Sequence, residues 1–451
     1  MDQATARLGS ERVGKLLLDY SIPAVIGMVM ASLYNIVDRI FIGQGVGPLA
    51  ISGLALTFPL MTLVMAIGTL VGVGASARIS IVLGMNDVRW ARNILGTALV
   101  LTFLFSAVLI TFSMLYLDDI LLAFGGSAQT IPYAKDYLRI VIPGSVLSNL
   151  SYSFSGVMRA TGYPRKSMYT ILIGVGLNVI LDPVFIFGLN MGIEGAAVAT
   201  VISMFVSMLF VMSHFFNTKH QVHFRVGCFR PKVRIIRNIV SIGMAPFLMN
   251  LAASVVNIIM NNQLVREGGD LAIGAFGIIN SFGMLIVMCV LGLCQGMQPI
   301  VGFNYGAGKH KRVKDVLLLT IRIATLIVTV GFLASELFPR WLVRAFTDDP
   351  DLTAMAVHGM RLGYCLLFLD GFQIVVSVFL QSISKAQKAV FMGLSRQVIF
   401  LIPALYFFSR WFGLTGVWLS IPAADLLAAV VAILFLRSER RVFYPSSGRR
   451  V

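Results

Sequence analysis

Charge is what this chain has least of. Asp, Glu, Lys and Arg make up 12% of its 451 residues, about half the roughly 25% usual in soluble proteins. A water-facing surface cannot be built from so few charges. Apolar residues reach 57% and the mean hydropathy is +0.86. These numbers exclude intrinsic disorder, a collagen-like fibre, a coiled coil and a secreted disulfide scaffold. Cysteine is also scarce: Cys228, Cys289, Cys294 and Cys365 include no CxxC pair, so neither a zinc site nor a redox motif is supported. Three of them lie in apolar runs, as small buried thiols do. No Walker A sequence is present, which leaves ATP hydrolysis unsupported. The glycines of GTLVGVGAS sit inside an apolar segment and suit helix packing. The five histidines are scattered, and His220 and His223 share a polar loop.

What is abundant is long apolar sequence. A membrane helix needs about 20 mostly apolar residues. Twelve candidates lie at about 16–40, 50–77, 93–117, 131–157, 167–188, 194–216, 238–264, 271–303, 315–338, 353–382, 388–409 and 414–436. The alternating ten-residue strands of a closed barrel are absent. The expected fold is an all-α membrane protein of twelve transmembrane helices. The first segment lacks a cleavable signal peptide's short core and cleavage site, so it is expected to remain as a span. The basic residues cluster at the N-terminus, in alternate loops and at the C-terminus, with 28 of the 36 Lys and Arg on one side. The other side carries Asp118, Asp119, Glu194, Asp348, Asp349 and Asp351. The positive-inside rule puts both termini in the cytoplasm. It also accounts for the net charge of +16 without a nucleic-acid partner, which would want these residues along one groove.

Shifted by about 223 residues, the chain matches itself. SIPAVIGMVMASLYNIVDRIFIG lies over GMAPFLMNLAASVVNIIMNNQLV, with Pro23 on Pro246 and Asp38 on Asn261. MGIEGAAVAT resembles FGLTGVWLSI, with Gly192 on Gly413. Twelve helices are therefore six plus six, related by a pseudo-two-fold repeat. Both halves start on the cytoplasmic side, so the repeat is parallel, an arrangement typical of transporters. The expected organisation is an N-terminal lobe at 1–216, a basic cytoplasmic linker at 217–237, a C-terminal lobe at 238–437 and a cytoplasmic tail at 438–451.

An acid at membrane depth costs roughly 2.5–3.5 kcal/mol on insertion scales and is a functional hypothesis by default. Asp38 follows Tyr34 and Asn35 by about one turn on the same face. Asp182 follows Asn178 by one turn and precedes Pro183, which is expected to kink the helix. A kinked helix carrying an acid and an amide suits a cation or proton. The competing reading of Asp38 is an outer-end cap beside Arg39. Asp370 lies inside the tenth segment with Gln373 nearby, and Asp425 in the twelfth is a weaker case. Asn257 and Asn261 stand on one stripe of the seventh segment, and Gln295 and Gln298 on the eighth. Such amides either hold helices together, at about 0.6 kcal/mol each, or line a cavity. The 22 Met and 32 Phe suit a promiscuous apolar cavity or simply face lipid.

LNVILDPVFIFGLNMGIEGAAVAT, YNIVDRIFIGQGVG and FSGVMRATGYPRKSM resemble the multidrug and toxic compound extrusion (MATE) family over nearly the whole chain. The resemblance implies two six-helix lobes around a central cavity and export of cationic drugs against H+ or Na+. Carried over by position, it implies a cation-handling cluster of Asp38, Asn178, Asp182 and Thr200, with sodium at Asp38, Asn178 and Asp182 if that is the ion. It also implies a second-lobe site at Asp370; Tyr34, Asn257, Asn261, Gln295, Gln298 and Gln373 are the candidates for cavity lining on their own placement in the segments. The sodium-coupled branch has an acid in its seventh helix, where this chain has amides. The superfamily also contains flippases for lipid-linked oligosaccharides, with several basic residues in the membrane, and this sequence shows few.

The expected function is therefore a cation-coupled multidrug efflux antiporter of the cytoplasmic membrane, not an enzyme, with no cofactor. Its partners would be small amphiphilic cationic drugs and the bilayer, with no obligatory protein partner. The alternatives are the flippase and, further off, a passive channel or a membrane enzyme. The last reading has only the acidic run Asp348-Asp349-Pro350-Asp351, similar to metal–diphosphate motifs but without a partner motif.

Overall fold

The structure, a computed structural model, describes residues 3–225, 227–229 and 231–443, with the side chains of 35, 36, 39, 48, 270, 440 and 441 outside the description. The expected tail at 438–451 is therefore described only to 443, and Arg230, Arg449 and Arg450 of the basic loops and tail lie outside it. The first half contains α1 (Gln3–Ser10), α2 (Val13–Gly45), α3 (Pro48–Gly84), α4 (Val88–Leu115), α5 (Leu117–Ala123), α6 (Ile131–Ala160), α7 (Pro164–Pro183) and α8 (Gly192–Phe216). The second contains α9 (Val233–Gly306), α10 (His310–Leu337), α11 (Pro339–Arg344), α12 (Pro350–Tyr364), α13 (Asp370–Ser382), α14 (Ala386–Leu394), α15 (Ile402–Ser438) and α16 (Arg440–Phe443). There is no strand among the described residues. Helix starts follow local chemistry. Asp87 accepts from Trp90 N at 2.9 Å, and Asp349 accepts from the N–H groups of Asp351 and Leu352, each satisfying donors that the first turn leaves open.

Nine helical stretches among the described residues are long and apolar enough to cross a membrane, and α12 with α13 forms a tenth span bent by 44°. The remaining two follow from geometry. Ala386–Ser438 is 53 residues, about 80 Å of helix, twice what a bilayer requires. It is divided at Gly413, whose backbone is non-helical. α6 is 30 residues long but less apolar, carrying Lys135, Asp136, Arg139 and a run of serines. α9 is likewise two spans, broken at Gly269. The twelve spans agree with the sequence boundaries to within seven residues at each end.

The duplication is visible in the backbone. Ten of the described residues have positive φ, and eight of them pair under a shift of 221 or 222: Gly47 with Gly269, Asn86 with Gly308, Gly162 with Ser384, and Gly192 with Gly413. These are the turns between spans. A left-handed residue is costly without glycine, so turns of this kind survive divergence of the helices between them.

The chain forms two compact units, and each is discontinuous. One is Met1–Ser10 with Ile26–Phe247; the other is Glu11–Val25 with Leu248–Val451. Two of the three divisions, after Val25 and after Phe247, lie within two residues of Pro23 and Pro246. In the first unit α6 is the central helix, packed on α3, α4, α7 and α8. Apolar association is weak between helices in lipid, so small residues and interhelical hydrogen bonds matter. Ser153 Oγ donates to Gly68 O at 3.1 Å and Asn149 Nδ2 to Ser106 Oγ at 3.0 Å. In the second unit Trp418 is fully buried against Gly359. Tyr364 OH donates to Ile279 O at 2.6 Å, and Ser21 Oγ to Leu293 O at 3.3 Å.

Candidate functional site

The first unit gathers four sequence-predicted residues in one place. Asn178 and Asp182, one turn apart on α7, are buried, and Asn178 Nδ2 donates to Asp182 Oδ1 at 3.1 Å. The same amide nitrogen lies 3.4 Å from Thr200 Oγ1 on α8. Thr200 donates its own proton to Ala196 O at 2.9 Å, a local back-bond that leaves its lone pairs toward the amide. Asp38, half-buried on α2, lies within side-chain hydrogen-bonding reach of Asp182. Tyr34 of α2 and Tyr137 of α6 reach Thr200 in the same way and stand in the field of both acids. Tyr137 is the member that sequence reasoning missed. Its only signal was a hydroxyl in the less apolar span, and nothing in the primary sequence relates it to Asp38.

Two buried oxygens of this cluster, Asp182 Oδ2 and Asn178 Oδ1, have no hydrogen-bond partner. Buried acceptors are normally satisfied, and each exception calls for an explanation. Two carboxylates facing each other have no hydrogen to share unless a proton or a cation joins them. The side chains of Asn35 and Arg39, which entered the sequence argument, lie outside the described residues.

Local backbone places these groups. The break expected at Pro183 takes the form of a π-helical turn, Val184–Gly188, with Leu189 N bonded to Val184 O at 2.9 Å. Proline removes one donor from the helical ladder, and the wider turn follows directly after Asp182. It lies close to the end of α2, where a Cβ on Gly45 would run into Ile186 and Phe187. Glycine there lets the two elements meet beside the acids.

A second set lies in the other unit. Asp370 opens α13 and Asp425 lies in α15; both are 2% exposed. Between them is Arg396, on a second π-helical turn, Ser395–Leu401. Its Nε donates to Asp425 Oδ1 at 2.7 Å, and its Nη2 is 3.4 Å from Asp370 Oδ1. Tyr364 stands in the field of all three. In the sequence Arg396 lies near the start of the eleventh segment and counts among the 28 basic residues of the cytoplasmic side. The structure corrects this: Arg396 is inside the Ala386–Ser438 span and paired with two buried acids. The available signal was its distance, two helical turns, from the last loop lysine, Lys388. Gln373 is buried with an unpartnered Oε1, and Gln298 is buried with an unpartnered Nε2. Gln295 and Asn261 are half-buried and Asn257 is exposed. None of these amides appears in the hydrogen bonds described above for the two clusters.

Comparison with known proteins gives a consistent picture. The family model MatE matches residues 23–184 and 245–407, once in each half. The multidrug export protein MepA of Staphylococcus aureus is 29% identical over 424 residues, covering 94% of this chain and 93% of that protein. MepA of Staphylococcus haemolyticus is 28% identical over 426 residues, covering 94% of each. Among solved structures, the outward-facing conformation of a multidrug resistance MATE family transporter of the MOP superfamily superposes with a TM-score of 0.93 at 25% identity, over 99% of this chain and 100% of that one. A MOP superfamily transporter from Pyrococcus furiosus, described as having a binding pocket of reverse polarity and a different function, gives 0.92 at 25% identity, over the same shares.

Proposed function

The chain belongs to the MATE family, and on that premise we propose that it is a multidrug efflux antiporter, exchanging small amphiphilic cations for H+ or Na+ across the cytoplasmic membrane. Export of drugs is supported by the MepA relatives, which are named for it. Coupling is supported by one observation above the others: two carboxylates, Asp38 and Asp182, come within hydrogen-bonding reach of each other, and Asp182 Oδ2 is buried without a hydrogen-bond partner. Two unit charges about 4 Å apart at an effective dielectric constant near 20 repel by about 4 kcal/mol. A proton or a sodium ion between them removes that repulsion and supplies the missing partner.

The residues around the pair suit either ion. Asp182 Oδ2, Asn178 Oδ1, Thr200 Oγ1 and the Asp38 carboxylate are hard oxygen donors of the kind that sodium takes. Asn178 Nδ2 holds the Asp182 carboxyl in orientation. Tyr34 and Tyr137 hydroxyls can donate to whichever acid is ionised. The π-helical turn after Pro183 gives α7 a place to change its hydrogen bonding when the ion arrives or leaves, as such turns at functional sites do. A cationic drug competes for the same negative charge, so bound ion and bound drug exclude each other and ion entry drives drug release. The excess of basic residues in alternate loops supports cytoplasmic termini and a cytoplasmic linker at 217–237.

The experiment is drug uptake into proteoliposomes with a sodium gradient or a proton gradient imposed alone. Uptake that follows one gradient and is lost in Asp182→Asn supports the reading. Uptake that ignores both gradients removes it.

A further inference from the structure

The second unit holds two buried acids that the coupling reading does not use, and it holds them differently from the first. Asn178, Thr200, Tyr34 and Tyr137 stand around Asp182, whereas Asp370 and Asp425 face a guanidinium. Arginine stays charged in proteins and presents a planar fork. Here Nε makes a short charge-assisted bond to Asp425, of the strong type. Nη2 approaches Asp370 at 3.4 Å without forming a hydrogen bond, and Asp370 Oδ1 is left unpartnered. Tyr364, from α12, is committed to the backbone of Ile279. Cys365, in the bend between α12 and α13, is the other titratable group in the field of Asp425.

We propose that Arg396 is the built-in cation of this unit: its guanidinium takes the place between Asp370 and Asp425, bars a sodium ion from it, and leaves ion exchange to the Asp38–Asp182 pair. The proposal rests on the coupling reading above for its second half only. A sodium ion needs several oxygens converging on one point. In this unit the point between the acids is filled by nitrogen donors. A cation forced to within about 4 Å of the guanidinium would lose roughly a thousandfold in affinity, or about 4 kcal/mol, to repulsion. The three groups together carry one negative charge, with the guanidinium bound closely to Asp425 and more loosely to Asp370. Arg396 is thus a specificity-determining residue: it bars metal cations from this unit and sets the two halves of a duplicated chain to different tasks. The repeat itself supplies no counterpart, since Arg396 falls on Gly174 at a shift of 222.

The test is thermal unfolding of the purified full-length protein in sodium chloride against choline chloride at equal ionic strength, in an Asp38→Asn/Asp182→Asn background that silences the first unit. With Arg396 intact, that parent should show no sodium-specific rise in Tm. Adding Arg396→Gln should create one, with sodium affinity at least a hundredfold above the parent's, and adding Asp370→Asn to that variant should abolish it. A sodium-specific rise in the parent that Asp370→Asn removes would overturn the proposal. So would a folded Arg396→Gln variant with no sodium response. Should Arg396→Gln not fold, the parent decides: absence of a sodium response supports the proposal, and a response lost on Asp370→Asn ends it. Failure of the coupling reading is separate, and would show as gradient-driven transport surviving Asp182→Asn.

Discussion

Asp182→Asn is the substitution with the clearest arithmetic. The amide matches the carboxyl in shape, and its oxygen still accepts the 3.1 Å bond from Asn178 Nδ2. The fold should therefore be kept, and relief of like-charge repulsion should make the protein as stable or slightly more so. What is lost is the electrostatic reason to bind a cation. With both acids ionised the repulsion is about 4 kcal/mol at an effective dielectric constant near 20, and a bound ion relieves it. At 1.36 kcal/mol per decade, removing one acid lowers cation affinity by up to about a thousandfold. Gradient-driven efflux should then fall to the level of empty liposomes, while the protein inserts at normal abundance with a Tm no lower than wild type's, since the substitution keeps the bond from Asn178 and removes a like charge. The assay is uptake of a fluorescent amphiphilic cation into proteoliposomes under an imposed gradient, with Tm and expression measured in parallel. Wild-type transport by a fully inserted Asp182→Asn would refute the reasoning, because the ion would then be binding without the pair.

Four further outcomes are expected. Asp38→Asn, at the other acid of the pair, should lose coupling to the same degree, and Asp370→Asn should lose less than tenfold; a larger loss at Asp370 in the same uptake assay would move the exchange site to the second unit. In a background without the native cysteines, Asp349→Cys should react with an impermeant thiol reagent from outside intact cells and Lys309→Cys should not; the reverse labelling would invert the topology. Cells expressing the protein should gain resistance to amphiphilic cations and not to anions of similar size, as growth inhibition would read; resistance confined to anions would contradict the acidic site. Gly45→Val should lower stability by about 1–3 kcal/mol, since the added methyls run into Ile186 and Phe187 and overpacking costs that much; an unchanged Tm would show that α2 and the π-helical turn do not need to meet closely.

The spans were readable because lipid imposes a one-dimensional rule. Every backbone polar group at membrane depth must be satisfied within its own segment, so length and apolarity alone mark a helix, and eleven loops follow. Even α6, the least apolar span, was found from its extent at 131–157. The repeat was legible for a related reason: the left-handed turns at Gly47, Gly269, Gly192 and Gly413 demand a particular residue whatever the helices around them become. Asn178 and Asp182 could be placed together from i, i+4 spacing, which needs no tertiary information.

The rest depended on which helix faces meet. Tyr137, Asp38 and Thr200 come from three helices separated by scores of residues, and only packing brings their oxygens to Asp182. Arg396 is the sharper case. Close to Lys385 and Lys388 in sequence, it passes for a charge at the cytoplasmic start of its span. A π-helical turn and the close approach of α13 and α15 make it the partner of two buried acids. Sequence determined how many times the chain crosses the membrane and which carboxylates are buried there, because both follow from the free energy of transferring single segments out of water. The tertiary structure decided which of those acids face each other and which face a guanidinium, because electrostatic energy depends on the distance between charges, and those distances are set by the contacts between helices.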